Sequence, residues 1–335
     1  MTAKQKRQQH QALASLGDTI RVQGKARTTE KAYCRELSRY IEFLCSPKCP
    51  DGTPEEKLEH YLTAEANRGV SASTQNSTFA AITFYYRYVL KKPLEGVDAL
   101  RAKPGKHVRQ APSVEDVRRF LMTIEDTGQY PTRLLAYLLY GCGTRLGETL
   151  AIRRKDMDIK ARKLTIIAGK NKKDRIVNIP PSLVPQLKNQ LDLSKVLHAK
   201  ATMMGVPTKL PNLLRKKYPR YEFSPGWFWL FPMSKPCRDI EEDENGVRRR
   251  VWWHCLDGVV QEAFRTASDR AELENNITPH RLRHAWATHA YDEGACARDL
   301  QEVLGHADIR TTMGYIRPDP DRVVSPLESL NLKSA

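Results

Sequence analysis

Along residues 30–46 the apolar positions Tyr33, Leu37, Tyr40, Ile41 and Leu44 fall on one face of a helical period. An amphipathic helix is therefore predicted there. A second helix is predicted to start at Thr53-Pro54-Glu55-Glu56: Thr53 caps, Pro54 takes the first helical position and Glu56 completes a capping box. Residues 71–88 begin polar and turn aromatic, with Phe79, Phe84, Tyr85, Tyr86 and Tyr88, which predicts a bundle helix with an aromatic core side. The periodicity then stops. Residues 101–112, RAKPGKHVRQAP, carry two prolines, one glycine and four basic side chains, Arg101, Lys103, Lys106 and Arg109, and read as a basic linker. A second domain opens with the helix-start signal Ser113-Val114-Glu115-Asp116. Residues 133–140 predict an apolar helix ending at Gly141. Residues 163–168 and 175–179 alternate as strands around a polar turn, giving a β-hairpin. From His280 onward the pattern is helical, broken at Gly294 and at Gly305-His306. The fold class is mainly α with a small β-sheet or hairpin, in two domains.

Composition narrows the partner. A chain of 335 residues suits two domains at about 100–200 residues each. Its 55 Lys and Arg against 39 Asp and Glu give a net charge of +16, and the pI is about 9.5. A protein this basic points to a polyanion, with nucleic acid the first candidate. A basic linker suits a clamp that closes on a duplex, with Lys103, Lys106 and Arg109 on phosphates. The polar side of residues 71–88 (Ser73, Thr74, Gln75, Ser77) is open to the same backbone. No segment has the length and apolarity of a membrane span, and the basic residues 1–10 precede no apolar stretch, so no signal peptide is expected. Seven cysteines, an odd number in a long chain, read as reduced thiols of a cytosolic protein. Cys45 and Cys49 are not followed by a second pair at zinc-finger spacing. Neither metal nor cofactor is expected.

Five short segments carry the candidate chemistry. GCGTRLGE at 141–148 places Arg145 at a glycine-flanked helix start, and GKNKKDR at 169–175 places lysines at a hairpin tip. HRLRH at 280–284 sets His280 and Arg283 three apart on one helix face. Leu304-Gly305-His306 supplies another histidine, and Tyr315 follows nine residues later. Each alone is a weak signal, since a lone surface Arg is usually solvated and a lone Tyr is usually core. The ordered set Arg145, Lys170, His280, Arg283, His306 and Tyr315 resembles the tyrosine recombinase family of phage integrases and Xer recombinases.

That resemblance implies an enzyme that cuts and rejoins DNA through a 3′-phosphotyrosine. Two guanidiniums, Arg145 and Arg283, suit the charge that builds on the non-bridging oxygens of a pentacoordinate phosphorus. Tyr315 is the implied nucleophile, and its ester conserves the bond energy for rejoining. Lys170 is the implied acid for the leaving 5′-oxygen; Lys172 and Lys173 share the hairpin tip. His280 is the implied proton acceptor and His306 a phosphate ligand. Glu148, one turn after Arg145, is a candidate to orient it, and His284 is read as facing elsewhere, for packing. The family fold implies a C-shaped clamp: a helical core-binding domain at 1–100, the linker at 101–112, a catalytic domain at 113–320 and a tail at 321–335 for exchange between protomers.

The 110 residues between Lys170 and His280 are more than a plain Xer-type domain needs. The insertion at about 200–232, with LPNLLRKKYPR and WFWLFP, resembles that of integron integrases, as does the tail VSPLESL. This implies recombination of gene cassettes at duplex attI and at folded single-stranded attC hairpins, by a homotetramer on synapsed DNA in the bacterial cytoplasm or nucleoid. Flipped bases need π-faces and cations. The candidates are Tyr218, Tyr221, Trp227 and Trp229, with Lys209, Arg215, Lys216 and Lys217 for phosphate. Phe228 and Phe231 are better read as core. The alternatives are a phage or Xer-like integrase confined to duplex sites, and a DNA-binding protein that has lost catalysis. Departures from the usual motifs are GTRLGE, RHAWATH and Gly314 before the tyrosine. The mixed-charge loop at 238–250 has no assigned role.

Overall fold

Helix signals close to the chain start build the first unit. In a computed structural model that describes residues 1–97, 110–128, 130–167, 174–239 and 246–315, the chain forms two compact units, Met1–Val108 and Arg109–Ala335. The predicted positions Lys103, Lys106, Arg109 and Lys170, and the tail at 321–335, lie outside the described residues. The first unit contains α1 (Ala3–Val22), α2 (Arg27–Leu44), α3 (Pro54–Asn67) and α4 (Ala72–Phe84), followed by a π-helical turn at Tyr85–Val89. The capping box of α3 forms as its sequence predicts: Glu56 N–H reaches Thr53 Oγ1 at 3.3 Å and Thr53 N–H reaches Glu56 Oε2 at 2.8 Å. Leu37 and Tyr40 of the predicted α2 face are buried against Leu16, Ile20, Leu58 and Ile82. Each such side chain contributes about 1.5–3 kcal/mol on burial. Buried Glu36 is satisfied by the Thr78 hydroxyl at 3.2 Å and by Arg35 Nε at 2.8 Å.

The second unit begins with α5 (Val114–Thr123), capped by Ser113 as the sequence indicates, and α6 (Thr132–Cys142). Helix α6 runs past Gly141 and ends at Gly143, whose φ of +61° reverses the chain. Then come α7 (Leu146–Leu150) and a three-stranded antiparallel sheet, β1 (Met157–Asp158), β2 (Lys163–Ile166) and β3 (Arg175–Asn178). The β2–β3 pair, in register Leu164 with Val177, is the predicted hairpin, and β1 adds an edge too short to register as a sequence pattern. Helices α8 (Val184–Met203) and α9 (Asn212–Lys217), the two-stranded β4 (Cys237–Arg238) and β5 (Arg250–Val251), and α10 (Asp257–Arg270) follow. The chain continues as α11 (Pro279–Asp292), α12 (Ala297–Leu304) and α13 (Ile309–Met313). The core of this unit lies between α6, α10, α11 and the inner face of β2–β3, around Phe120, Leu135, Leu139, Val177, Phe264 and Leu282. Among the described residues no helix is long and apolar enough to cross a membrane.

Two predicted DNA contacts turn inward. Lys209 is buried, with Nζ 2.8 Å from Asp239 Oδ2, because the adjoining backbone is tied to Trp252. Trp229 is buried too: its indole N–H donates to Trp252 O at 3.0 Å and the Arg153 guanidinium lies 3.7 Å from its ring centre. Phe228 and Phe231 are core, as expected from their pattern.

Candidate active site

Backbone geometry at one glycine starts the site. Gly143 closes α6 in the left-handed region, and a Cβ there would sit 2.5 Å from the Trp286 ring. Its carbonyl accepts from Arg283 Nη1 at 2.6 Å. The Leu304 carbonyl, exposed by the left-handed cap Gly305, accepts from Arg283 Nη2 at 2.6 Å. Arg283 is thus held from both ends and only 2% exposed. Burial, and next to it the neighbouring Arg145, pull its guanidinium down to about 9, so it stays charged at neutral pH. Two of its five N–H groups serve these carbonyls, leaving others for an anion.

Arg145 stands at the start of α7 with 30% of its side chain exposed. Its Nη1 donates to Glu148 Oε1 at 2.7 Å and its backbone N–H to Glu148 Oε2 at 2.9 Å. Glu148 therefore does orient Arg145, and it does so from a buried position. The carboxylate also receives both terminal nitrogens of Arg175, at 3.1 and 2.6 Å, and lies 3.7 Å from Arg283 Nη1. Burial pushes its pKa upward, but hydrogen bonds from Arg175 and Arg145 prevail and bring it to about 2. Three guanidiniums around one carboxylate leave the cluster net positive, which suits a phosphodiester.

Arg175 is the residue that sequence reasoning missed. On β3 the pleat places Arg175 on the same face as buried Val177, while Ile176 is exposed. A charged residue on the core face of a strand was the available signal, but the run Ile176-Val177 leaves the strand's register ambiguous. Arg175 Nε also donates to Val303 O at 2.6 Å, tying the hairpin strand to α12.

His306 and Tyr315 complete the cluster. The His306 ring lies 5.6 Å from that of Tyr315, with Nε2 3.4 Å from Arg283 Nη2. Burial, then Arg283, Arg145 and Arg175, hold His306 down to about 4. His280, on an exposed position of α11, has its ring 6.4 Å from Tyr315. His284 does not face elsewhere: its ring is 4.5 Å from Tyr315, because positions one helical turn apart share a face with His280. Burial, and then His280, bring His284 to about 4. The Tyr315 carbonyl accepts from Thr288 Oγ1 at 2.9 Å. Gly314 before it keeps right-handed helical backbone, with its N–H on Arg310 O at 3.1 Å. Arg145, Arg283, His280, His306 and Tyr315 are therefore brought together. Among the described residues no group of three or more His, Cys, Asp and Glu could hold a metal ion.

A second cluster lies in the inserted segment. Tyr218 and Tyr221 stack at 5.1 Å, and Tyr221 stacks on Trp227 at 5.3 Å and 19°. Lys217 Nζ lies 5.2 Å from the Tyr218 ring centre and Lys155 Nζ 4.5 Å from that of Trp227. Both tyrosines are exposed and Trp227 is half-buried. Lys216 is exposed and Arg215 half-buried on α9 beside them.

The chain resembles known proteins over most of its length. The phage integrase family profile matches residues 113–322, and the profile of the phage integrase N-terminal SAM-like domain matches residues 13–96. An integrase/recombinase of Escherichia coli is 34% identical over 324 residues, covering 95% of this chain and 93% of the relative. Tyrosine recombinase XerA of Pyrococcus furiosus is 26% identical over 330 residues, covering 98% and 97%. Among solved structures, a lambda integrase dimer bound to a COC′ core site shares the fold at a TM-score of 0.61 and 15% identity, covering 94% of this chain and 97% of that one. The Tn1549 transposon integrase in complex with circular intermediate DNA does so at 0.60 and 15%, covering 95% and 99%.

Proposed function

Because the chain belongs to the phage integrase family, as a tyrosine-type site-specific DNA recombinase, we propose that Tyr315 is its nucleophile and the surrounding cluster its active site. The Tyr315 oxygen attacks phosphorus, the bond to the 5′-oxygen breaks, and a 3′-phosphotyrosine forms. Arg145 and Arg283 hold the non-bridging oxygens as their charge grows. His306 hydrogen-bonds the phosphate and His280 takes the phenolic proton. Lys170, between β2 and β3 in the sequence, gives a proton to the leaving oxygen. Rejoining runs the same steps in reverse, with the ester carrying the bond energy. The observation that carries this reading is the packing of Tyr315 against three histidine rings beside a buried, doubly anchored Arg283.

The substrate we propose is of the integron type: duplex attI and a folded single-stranded attC hairpin, synapsed by a homotetramer whose protomers are linked through residues 321–335. The exposed stack of Tyr218, Tyr221 and Trp227, flanked by Lys155 and Lys217, supports this reading. It offers π-faces to extrahelical bases and cations to the adjoining phosphates. The likeness to Xer recombinases favours a second reading, in which only duplex sites are used. In either case the protein works on DNA in the cytoplasm, at the nucleoid.

Covalent trapping tests both levels. The protein is incubated with a folded hairpin and, separately, with its duplex form, and SDS-stable adducts are measured with Tyr315→Phe as control. An adduct on the hairpin, absent from the variant, is expected. An adduct on duplex alone would discard the integron substrate, and an adduct that survives Tyr315→Phe would discard the nucleophile.

A further inference from the structure

Thr312 is fully buried on α13, three residues before Tyr315, and its hydroxyl lies 2.9 Å from His306 Nδ1. The other ring nitrogen, Nε2, faces Arg283 Nη2 at 3.4 Å. A guanidinium only donates, so Nε2 accepts there. The proton of the neutral ring then sits on Nδ1 and is donated to the threonine oxygen. Gln301 fixes the backbone of His306, its carbonyl accepting from His306 N–H and its Nε2 donating to His306 O, each at 3.1 Å. The ring itself is oriented by Thr312 and Arg283. The charged groups acting on it are Arg283 on α11, Arg145 and Glu148 at α7 and Arg175 on β3.

We propose that Thr312 is a positioning residue that fixes the tautomer and plane of His306 and so presents Nε2 to the scissile phosphate. Uptake of a proton at Nε2 beside a phosphate oxygen leaves the Nδ1–H bond to Thr312 intact, while Nε2 exchanges its acceptor contact with Arg283 for a donor contact with the phosphate. The inference rests on the reading of His306 as a phosphate ligand.

The test is a double-mutant cycle on single-turnover adduct formation at saturating DNA. Thr312→Val is expected to slow cleavage about tenfold with DNA affinity unchanged, and Thr312→Ser to restore it. In a His306→Ala background Thr312→Val is expected to cost nothing further. An equal loss in both backgrounds would overturn the proposal, since Thr312 would then merely pack α13. A Thr312→Val enzyme at the parent rate would overturn it as well. Nitrogen-15 imidazole spectra of the full chain without DNA give a readout free of activity. The parent is expected to carry the His306 proton on Nδ1, and Thr312→Val to shift it towards Nε2. A parent ring protonated on Nε2 would overturn the assignment. A parent with the expected spectrum that forms no adduct on any DNA would instead sink the phosphate role of His306, and the proposal with it.

Discussion

The ring of His284 lies 4.5 Å from that of Tyr315, nearer than the ring of His280 at 6.4 Å. In the proposed mechanism the buried histidine packs the nucleophile and the exposed one is left for proton transfer. His284→Ala is expected to cost about 2 kcal/mol of stability, since it opens a void beside Tyr315. His284→Phe, which keeps a ring, should stay within about 1.5 kcal/mol of the parent. His280→Ala should leave stability within about 0.5 kcal/mol and slow cleavage by about 10²–10⁴. Urea unfolding and adduct-formation rates check the pair, and the reverse pattern would exchange the two roles.

Glu148 sits among three arginines and is held at about 2. Its folded value lies below the ordinary carboxylate range. Its stabilisation is therefore complete above about pH 4.5 and is lost as pH falls towards 2. Glu148→Gln leaves buried guanidiniums without their counter-charge and should cost about 3 kcal/mol at pH 7. The gap between variant and parent should narrow below pH 4.5. A gap independent of pH would show that packing, not charge, is what Glu148 supplies.

His284 and His306 are both held at about 4, below the ordinary histidine value of 6.5. The unfolded chain then binds more protons than the folded one between those values. Stability should be full above about pH 6.5 and fall as pH drops towards 4. Replacing His306 by Asn should flatten that acid-side slope in urea melts taken across the interval. An unchanged slope would show that His306 does not contribute to it.

Arg283 spends two N–H groups on the carbonyls of Gly143 and Leu304. An ammonium lacks the planar fork that reaches both. Arg283→Lys is expected to slow cleavage about 10²-fold and to lower the unfolding midpoint, with DNA affinity changed by less than about threefold. Parent-like cleavage by the lysine variant would show that charge alone suffices.

The aromatic residues of the insertion divide by burial. Trp227→Ala and Tyr218→Ala should weaken hairpin binding by about 1–3 kcal/mol each and leave the fold intact. Trp229→Ala should cost about 3–5 kcal/mol of stability, and Lys209→Ala, which removes the buried Lys209–Asp239 ion pair, should lower stability as well. Filter binding set beside thermal melts separates the two groups. Loss of stability in the first pair, or of binding alone in the second, would reverse the assignment.

Local signals in the sequence determined the helices and their starts. The capping box at Thr53 and Glu56, the Ser113 cap and the apolar face of α2 each depend on residues within one or two turns, so periodicity and spacing are enough to read them. The order of basic residues, histidines and tyrosine was legible in the same way, and with it the resemblance that the family comparison bears out. Tertiary structure alone decided which faces are inside. Lys209 and Trp229 belong to a segment rich in basic and aromatic residues, yet their neighbours' backbone bonds turn them inward while Tyr218 and Tyr221 stay at the surface. Arg175 acquires its place only when β3 packs against α7 and α12, and the tie from Thr312 to His306 only when α13 folds back onto the site. Those contacts join groups distant along the chain or set on separate elements. Their partners are chosen by packing and charge in three dimensions, which no local pattern encodes.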